Sequence, residues 1–65
     1  MDAKEIGARL CALRGERTQS EVADAVGVSR SAICNYEQGF RIPKDDVKVL
    51  LAKYYRSTVA KIFYS

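Results

Sequence analysis

The stretch from Gln19 to Gln38 constrains the fold of this chain most, because its helix-capping and helix-ending residues predict two short helices joined by a tight turn. Thr18 and Glu21 have the spacing of a capping box, in which each side chain hydrogen-bonds the other residue's backbone at a helix start. Gly27 suits the left-handed conformation that ends a helix, because it has no Cβ. Ser29 is a favoured N-cap for the helix that follows. The two helices are therefore expected to pack directly against each other.

Apolar residues at helical spacing predict the inner face of this helix pair. Ala23 falls where the two helices approach most closely, and a larger side chain there would force them apart. The other inner positions are Val22, Val26, Val28, Ile33 and Tyr36.

The composition predicts one small globular domain, residues 1–65. Hydrophobic residues make up 48% of the chain and charged residues 29%, which favours a folded protein with a small core over a disordered one. The formal net charge is +3, which permits an anionic partner without requiring one. The charge is uneven, since residues 41–65 contain six basic and two acidic side chains, whereas residues 1–40 contain five basic and six acidic ones.

Several classes of protein are disfavoured by the residue types. The chain has no histidine, and Cys11 and Cys34 lack metal-ligand spacing, so we expect free thiols, no metal and no cofactor. No arrangement resembles a catalytic site, which predicts that the protein is not an enzyme. The sequence contains neither the roughly 20 apolar residues of a membrane helix nor a signal peptide. We therefore expect a cytoplasmic protein with no membrane partner.

Amphipathic segments on both sides of the central stretch predict an all-α fold of five helices. Asp2 with Glu5 marks the start of a first helix, about Ala3 to Glu16. Pro43 lies at or near the first position of the fourth helix, and Thr58 can cap the fifth. The apolar positions expected to face the core are Ile6, Leu10, Leu13, Val47, Leu50, Leu51, Tyr54, Val59, Ile62 and Phe63.

The third predicted helix has one face that contains no large apolar side chain. Its members follow helical spacing and are Arg30, Ser31, Cys34, Asn35 and Gln38. By itself, such a face is either solvated or presented to a partner.

Separate segments in a common order carry a resemblance to the lambda-repressor/Cro-type helix-turn-helix family, also called the xenobiotic-response-element group. The resemblance extends from about Ile6 to Phe63 and includes Thr18-Gln-Ser-Glu-Val-Ala, Gly27-Val-Ser-Arg-Ser-Ala-Ile33, Tyr36-Glu-Gln-Gly39 and Leu51-Ala-Lys-Tyr-Tyr55. It implies a compact five-helix domain with the helix-turn-helix at helices 2–3. It also implies a transcriptional regulator, more often a repressor, that binds double-stranded DNA sequence-specifically.

The resemblance further implies which residues meet the DNA. The recognition helix, about Ser29–Gln38, would enter the major groove with Arg30, Ser31 and Asn35 at base edges. Arg30 would bond guanine, Asn35 adenine, and Ser31 either type of base. Cys34 would touch a thymine methyl or simply allow close approach, and a redox role is the remaining alternative. The implied contacts with the DNA backbone are Thr18, Gln19, Ser29, Gln38, Arg41 and Lys44.

Some implied roles leave alternatives open. Arg41 and Lys44 are equally compatible with ordinary solvated charges. Arg14 and Glu37 match a family ion pair that ties the first helix to the end of the third, so both are assigned to architecture. Arg56 stands where relatives often have Asn or Gly.

The family also implies a homodimer on DNA, with recognition helices in grooves about 34 Å apart. Tyr54 and Phe63 are expected in the core, and Tyr55, Val59 and Tyr64 are candidates for a dimer contact. No small-molecule ligand is evident. The alternative function is a protein-interaction module on the same fold, such as an antitoxin-like partner.

Overall fold

Five α-helices account for the regular structure of residues 2–65, the part of the chain that this computed structural model describes. The helices are α1 (Ala3–Arg14), α2 (Gln19–Val26), α3 (Arg30–Gln38), α4 (Asp45–Tyr54) and α5 (Val59–Phe63). The predicted all-α, five-helix fold is therefore confirmed. None of these helices is long and apolar enough to cross a membrane.

The helix starts follow the predicted N-caps. The Asp2 carboxylate accepts hydrogen bonds from the backbone N–H groups of Lys4 and Glu5, and Thr18 and Glu21 form the complete capping box. The hydroxyls of Ser29 and Thr58 cap α3 and α5 in the same way. These side chains satisfy donors that the first turn of a helix leaves unpaired.

Two predicted boundaries need correction. α1 ends at Arg14 and not at Glu16, because Gly15 leaves the helical conformation with φ of +59°. α4 begins at Asp45 with Lys44 as its N-cap, so Pro43 precedes the first helical residue by two positions.

Left-handed residues end three of the helices. Gly27 and Gly39 have φ of +75° and +79°, and Arg56 adopts the same conformation after α4, with φ of +54°. The Ser57 N–H then donates to the Ala52 carbonyl at 2.8 Å, which closes the end of α4. A residue with a Cβ in this conformation costs roughly 1–2 kcal/mol, so the substitution of Arg for the usual Asn or Gly weakens this turn without abolishing it.

The core lies where α1 and α5 meet the α2–α3 pair and α4. The predicted inner face of α2–α3 is confirmed, since its residues are buried apart from Val28, which is half-buried and packs against the core. The buried apolar residues are Ile6, Leu10, Val22, Ala23, Val26, Ala32, Ile33, Tyr36, Leu51, Ala52, Tyr55, Ile62 and Phe63.

The buried face of α4 overlaps the predicted one, since Leu51 lies in the core and Val47 and Tyr54 pack against it half-buried, but it is turned towards Lys48, Ala52 and Tyr55. The predicted stripe contains Leu50, which is 44% exposed. The observed buried face contains Lys48, Leu51, Ala52 and Tyr55.

Lys48 occupies this buried face because its ammonium group finds partners there. Its Nζ lies 3.1 Å from the Tyr64 hydroxyl and 3.4 Å from the Asp45 carboxylate. The same atom lies 5.7 Å and 5.1 Å from the ring centroids of Phe63 and Tyr64, within reach of cation–π attraction. The hydrogen bond with Tyr64, reinforced by Asp45, raises the pKa of Lys48. Lys48 therefore links α4 to the C-terminal segment.

On α1, the predicted core position Leu13 is 37% exposed, whereas Gly7, which was not predicted in the core, is buried. A Cβ on Gly7 would lie 2.7 Å from the carbonyl oxygen of Tyr36 and closer still to that of Glu37. The absence of a side chain at Gly7 thus lets α1 cross the C-terminal end of α3 at close range.

Tyr55 was predicted as a candidate dimer contact, and that prediction is wrong. It is buried, with its ring 5.1 Å from that of Tyr54, and the Arg17 guanidinium lies 5.6 Å from its ring centroid. Burial, with a smaller contribution from the negative charge of Glu37, raises the pKa of Tyr55 to about 12. Of the two other candidates, Val59 is half-buried against the core and Tyr64 is exposed.

Candidate nucleic-acid interface

One side of α3 faces outward, and we name it the α3 outer face: Arg30, Ser31, Cys34, Asn35 and Gln38. Arg30, Ser31 and Gln38 are exposed, whereas Cys34 and Asn35 are half-buried. The opposite side of the helix is anchored by the buried residues Ala32, Ile33 and Tyr36. The three predicted base-contacting residues therefore lie together on one accessible surface.

The side chains of the α3 outer face make no hydrogen bond or ion pair with any of residues 2–65. The capping bond at the start of the helix is made by Ser29, whose hydroxyl accepts from the Ala32 N–H at 3.0 Å. An Arg, an Asn and a Gln therefore present their full hydrogen-bonding capacity to solvent or to a ligand.

A different arrangement, the Glu37 junction, holds the last turn of α3 in place through Arg14, Gln19 and Glu37. The Glu37 carboxylate accepts from Arg14 Nε at 2.8 Å and from Arg14 Nη2 at 3.1 Å. It also accepts from Gln19 Nε2 at 3.1 Å. The predicted ion pair between Arg14 and Glu37 is thus confirmed, and it is bidentate.

The Glu37 junction is enclosed. The Glu37 side chain is 6% exposed and that of Arg14 is 20% exposed. Arg14 Nη1 also donates to the Arg17 carbonyl at 2.7 Å, which ties the loop after α1 to the same cluster. The hydrogen bond with Glu37 raises the pKa of Arg14. The junction joins α1, α2 and α3, so it fixes the orientation of the α3 outer face.

Gln19 is shared between this junction and the surface. One of its amide hydrogens bonds Glu37, whereas its side-chain oxygen has no partner among residues 2–65. Gln19 therefore braces α3 through Glu37, and its contact with phosphate stays a prediction.

Comparison with known proteins decides the family. A family profile described as a helix-turn-helix domain matches residues 5–62. The chain belongs to the helix-turn-helix family. No curated protein sequence matches it.

Solved structures agree with this assignment. The P22 c2 repressor, crystallised in complex with the synthetic operator 9T in the presence of Tl+, superimposes with a TM-score of 0.88 at 24% identity, over 91% of this chain and 92% of the repressor. The restriction-modification controller protein C.AhdI from Aeromonas hydrophila gives 0.86 at 26% identity, over 95% and 97%. The clp gene regulator ClgR from Corynebacterium glutamicum gives 0.84 at 22% identity, over 95% and 68%. The fold is therefore that of lambda-repressor-like helix-turn-helix regulators.

Apart from Gln19, the predicted backbone-contacting residues fall into two groups, of which the first consists of two helix caps, Thr18 and Ser29. The Thr18 hydroxyl is engaged with Glu21, accepting from its N–H at 3.1 Å and lying 3.3 Å from its carboxylate. Ser29 is a cap whose hydroxyl proton remains available. The second group is exposed and makes no side-chain hydrogen bond or ion pair with residues 2–65: Gln38, Arg41 and Lys44.

The charge near the helix-turn-helix is small and asymmetric. Arg30 is the single charged residue of the α3 outer face, whereas Glu21 and Asp24 lie exposed on α2. Arg41 and Lys44 add positive charge in the loop that follows α3. Arg30, Arg41 and Lys44 would therefore attract a polyanion, and the exposed Asp45 and Asp46 that follow Lys44 oppose this attraction.

Phe40 is a surface residue to which the sequence assigned no role. It follows the end of α3 directly and is 80% exposed, the largest exposure among the large apolar residues in the described part of the chain. The sequence feature that could have indicated an exposed Phe40 is its position immediately after Gly39, which ends α3. No group of three Cys, Asp or Glu side chains in residues 2–65 is placed to hold a metal ion.

Proposed function

We propose that this helix-turn-helix domain binds double-stranded DNA sequence-specifically as a transcriptional regulator, with α3 in the major groove. Arg30, Ser31 and Asn35 contact base edges in this proposal. Gln19, Ser29, Gln38, Arg41 and Lys44 contact the DNA backbone, and Thr18 does so only if its bond with Glu21 opens.

The observation that carries the proposal is the unused hydrogen-bonding capacity of the α3 outer face. Arg30 has a fork of donors suited to guanine O6 and N7, and Asn35 has the donor and acceptor suited to adenine N6 and N7. Neither side chain is used within residues 2–65. Direct readout requires such groups to be free and yet held on a rigid element, and α3 is held by the Glu37 junction.

The charge distribution supports different roles for two regions, with the α3 outer face providing sequence specificity and the loop after α3 providing electrostatic attraction. The α3 outer face supplies one positive charge, whereas Arg41 and Lys44 lie beyond the end of α3. Contacts with phosphate position a protein on DNA and carry the salt dependence of its affinity. We therefore assign the attraction chiefly to the loop between α3 and α4.

We further propose that the protein acts as a homodimer and represses transcription. Two copies would place two α3 helices in grooves about 34 Å apart, so that the operator is a palindrome. Occupancy of such a site is sufficient to block other proteins, so repression needs no additional activity. The similarity to a repressor that was solved with its operator supports this direction.

The test is a selection of bound duplexes from a random library, followed by affinity measurements at several salt concentrations. Enrichment of a palindrome with half-sites about one helical turn apart would support the proposal. The double variant Arg30→Ala, Asn35→Ala should lose the enrichment, whereas Lys61→Ala, an exposed change on α5, should retain it. Failure of the wild type to enrich any motif at moderate salt would refute sequence-specific binding.

The alternative is a protein-interaction module, such as an antitoxin-like partner, and the exposed Phe40 favours it. An aromatic side chain on a protein surface is a common anchor for another protein. Under this alternative, Phe40→Ala would abolish the interaction with that partner while the duplex selection yields no motif. Retention of the motif by Phe40→Ala would instead favour the DNA-binding proposal.

A further inference from the structure

The outward side of α4 carries two apolar residues between two opposite charges, and we name it the α4 outer face: Asp46, Val49, Leu50 and Lys53. All four residues are exposed, and Val49 and Leu50 retain 43% and 44% of their accessible surface. The opposite side of α4 is the buried one described above. The pair of aliphatic side chains is therefore displayed on a rigid helix of ten residues, about 15 Å long.

The α4 outer face is symmetric about its own centre. Val49 and Leu50 are adjacent at the midpoint, and Asp46 and Lys53 each lie three residues beyond one of them. If a second α4 packs antiparallel across this face, Val49 opposes Leu50 of the second copy, and Asp46 opposes its Lys53. A two-fold axis then generates each contact twice, which is the property of an isologous interface.

The two charges of the α4 outer face are available for such pairing. The ion pairs found within residues 2–65 involve neither Asp46 nor Lys53. The Asp46 carboxylate accepts one hydrogen bond, from the N–H of the adjacent Val47, and keeps its remaining acceptor sites.

We propose that a second copy of this chain packs antiparallel on the α4 outer face, with Val49 and Leu50 at the centre and two Asp46–Lys53 ion pairs at the ends. This inference rests on the proposed function, because the α4 contact would join two copies bound to DNA. This contact differs from the one predicted at Tyr55, which is buried, and it does not involve Val59 or Tyr64.

Charge complementarity selects a second copy over other occupants. A nucleic acid would meet the carboxylate of Asp46, which repels phosphate. A face with one acidic and one basic residue, equally spaced from an apolar centre, is complementary to an identical face that packs antiparallel on it. A contact between two helices of ten residues is smaller than the roughly 1,200 Å² of stable complexes, so the dimer is expected to be weak in solution and strengthened on DNA by effective concentration.

The experiment measures self-association without DNA by sedimentation equilibrium at concentrations up to about 1 mM. Asp46→Lys opposes Lys to Lys at both ends of the interface, and Lys53→Asp opposes Asp to Asp. We expect each single variant to weaken association by about tenfold. The double variant Asp46→Lys, Lys53→Asp restores opposite charges at both ends and should return association to within about threefold of wild type.

The double variant also separates association from folding. Asp46 lies in the first turn of α4 and Lys53 in the last turn, so both reversals oppose the helix dipole. The two reversals therefore lower the free energy of unfolding additively, and the double variant should be the least stable. Self-association, in contrast, should be restored in the double variant. Urea denaturation of each variant measures that cost, and Asp46→Asn with Lys53→Gln provides a pair of changes that oppose the dipole less.

Matched controls fix the location and separate this inference from the proposed function. Asp24→Lys on α2 and Lys61→Asp on α5 alter net charge equally at other exposed sites and should leave association unchanged. A wild type that stays monomeric at 1 mM, or a double variant that associates no better than the single variants, would overturn the α4 interface.

A separate measurement distinguishes this inference from the proposed function. Binding to a single DNA half-site should persist in Asp46→Lys. If the wild type does not bind a half-site, the DNA-binding proposal is refuted, whereas the association measurements on the charge-reversal variants still test the α4 interface.

Discussion

The α3 outer face and the Glu37 junction, which share α3, use similar residue types for opposite purposes. Arg30 and Arg14 both carry a guanidinium, but Arg14 spends its donors on Glu37 and on the Arg17 carbonyl, whereas Arg30 has no partner among residues 2–65. Gln38 is unpaired and exposed, whereas Gln19 donates to Glu37. The comparison shows that a polar residue in this domain is identified as structural or as ligand-facing by whether the fold already uses its hydrogen-bonding groups.

The largest effect should come from removing the acceptor at the centre of the Glu37 junction. Glu37→Ala leaves Arg14 and Gln19 without their partner, and we expect the free energy of unfolding to fall by about 2–4 kcal/mol. Urea denaturation followed by circular dichroism measures this loss. Because the domain is small, Glu37→Gln should be examined as the milder variant, with about half the effect. A loss below 0.5 kcal/mol would mean that the junction is no more structural than the surface.

The second test makes the opposite change on the α3 outer face. Arg30→Ala should leave the free energy of unfolding within about 0.5 kcal/mol of wild type. It should cost about 1–3 kcal/mol of binding on the preferred duplex and relax specificity at one base pair. Competition titrations with duplexes substituted at each position measure both quantities. An equal loss on every duplex would instead identify Arg30 as a phosphate contact.

A smaller effect is expected at the loop after α3. Lys44→Ala should weaken binding to all duplexes alike and reduce the slope of log affinity against log salt by about 1. Titrations at four or more salt concentrations give the slope. Lys4→Ala on α1, another exposed lysine, is the matched control. A slope that does not change would return Lys44 to the class of solvated charges.

An effect confined to alkaline pH concerns Tyr55, whose pKa is raised chiefly by burial and to a smaller extent by the charge of Glu37. Its pKa is about 12 in the fold against about 10 for an ordinary tyrosine. The folded state therefore holds the proton more tightly, so stability is complete below pH 10 and falls as pH rises from 10 towards 12. Tyr55→Phe should remove this part of the alkaline loss, measured as the difference between urea midpoints at pH 8 and pH 11. An identical loss in both proteins would assign it to other groups.

The sequence predicted those parts of the fold that depend on local chemistry. Thr18, Ser29 and Thr58 are caps because their hydroxyls bond a backbone N–H three residues later, which spacing alone reveals. Gly27 and Gly39 end helices for an equally local reason. These signals, with the amphipathic segments on both sides of Gln19–Gln38, were sufficient to predict five helices and the turn between α2 and α3.

The errors arose where a distant partner decides the outcome. Periodicity predicts that α4 has an apolar stripe but not which neighbours cover it, so Leu50 was placed inside and Tyr55 outside. Lys48 lies on the buried side because Tyr64, sixteen residues later, offers its hydroxyl. Gly7 is buried because α3 crosses there without room for a Cβ. For the candidate interface, helical spacing predicted the residues of the α3 outer face and the resemblance implied their roles on DNA, whereas the freedom of this face from internal hydrogen bonds required the structure.

The bonds from Arg9 to the end of the chain bear on the order in which the domain folds during synthesis. Arg9 on α1 donates to the carbonyls of Ile62 and Ser65 at 2.8 Å each, and α5 supplies two of the most buried side chains, Ile62 and Phe63. The segment made first thus completes its packing only after the segment made last. Contacts of such sequence separation delay folding, because a long loop must close before they form. A nascent chain that lacks α5 would leave Arg9 without its two carbonyl acceptors and the core without Ile62 and Phe63, so the packing of α1 should be completed only when translation of the domain is complete.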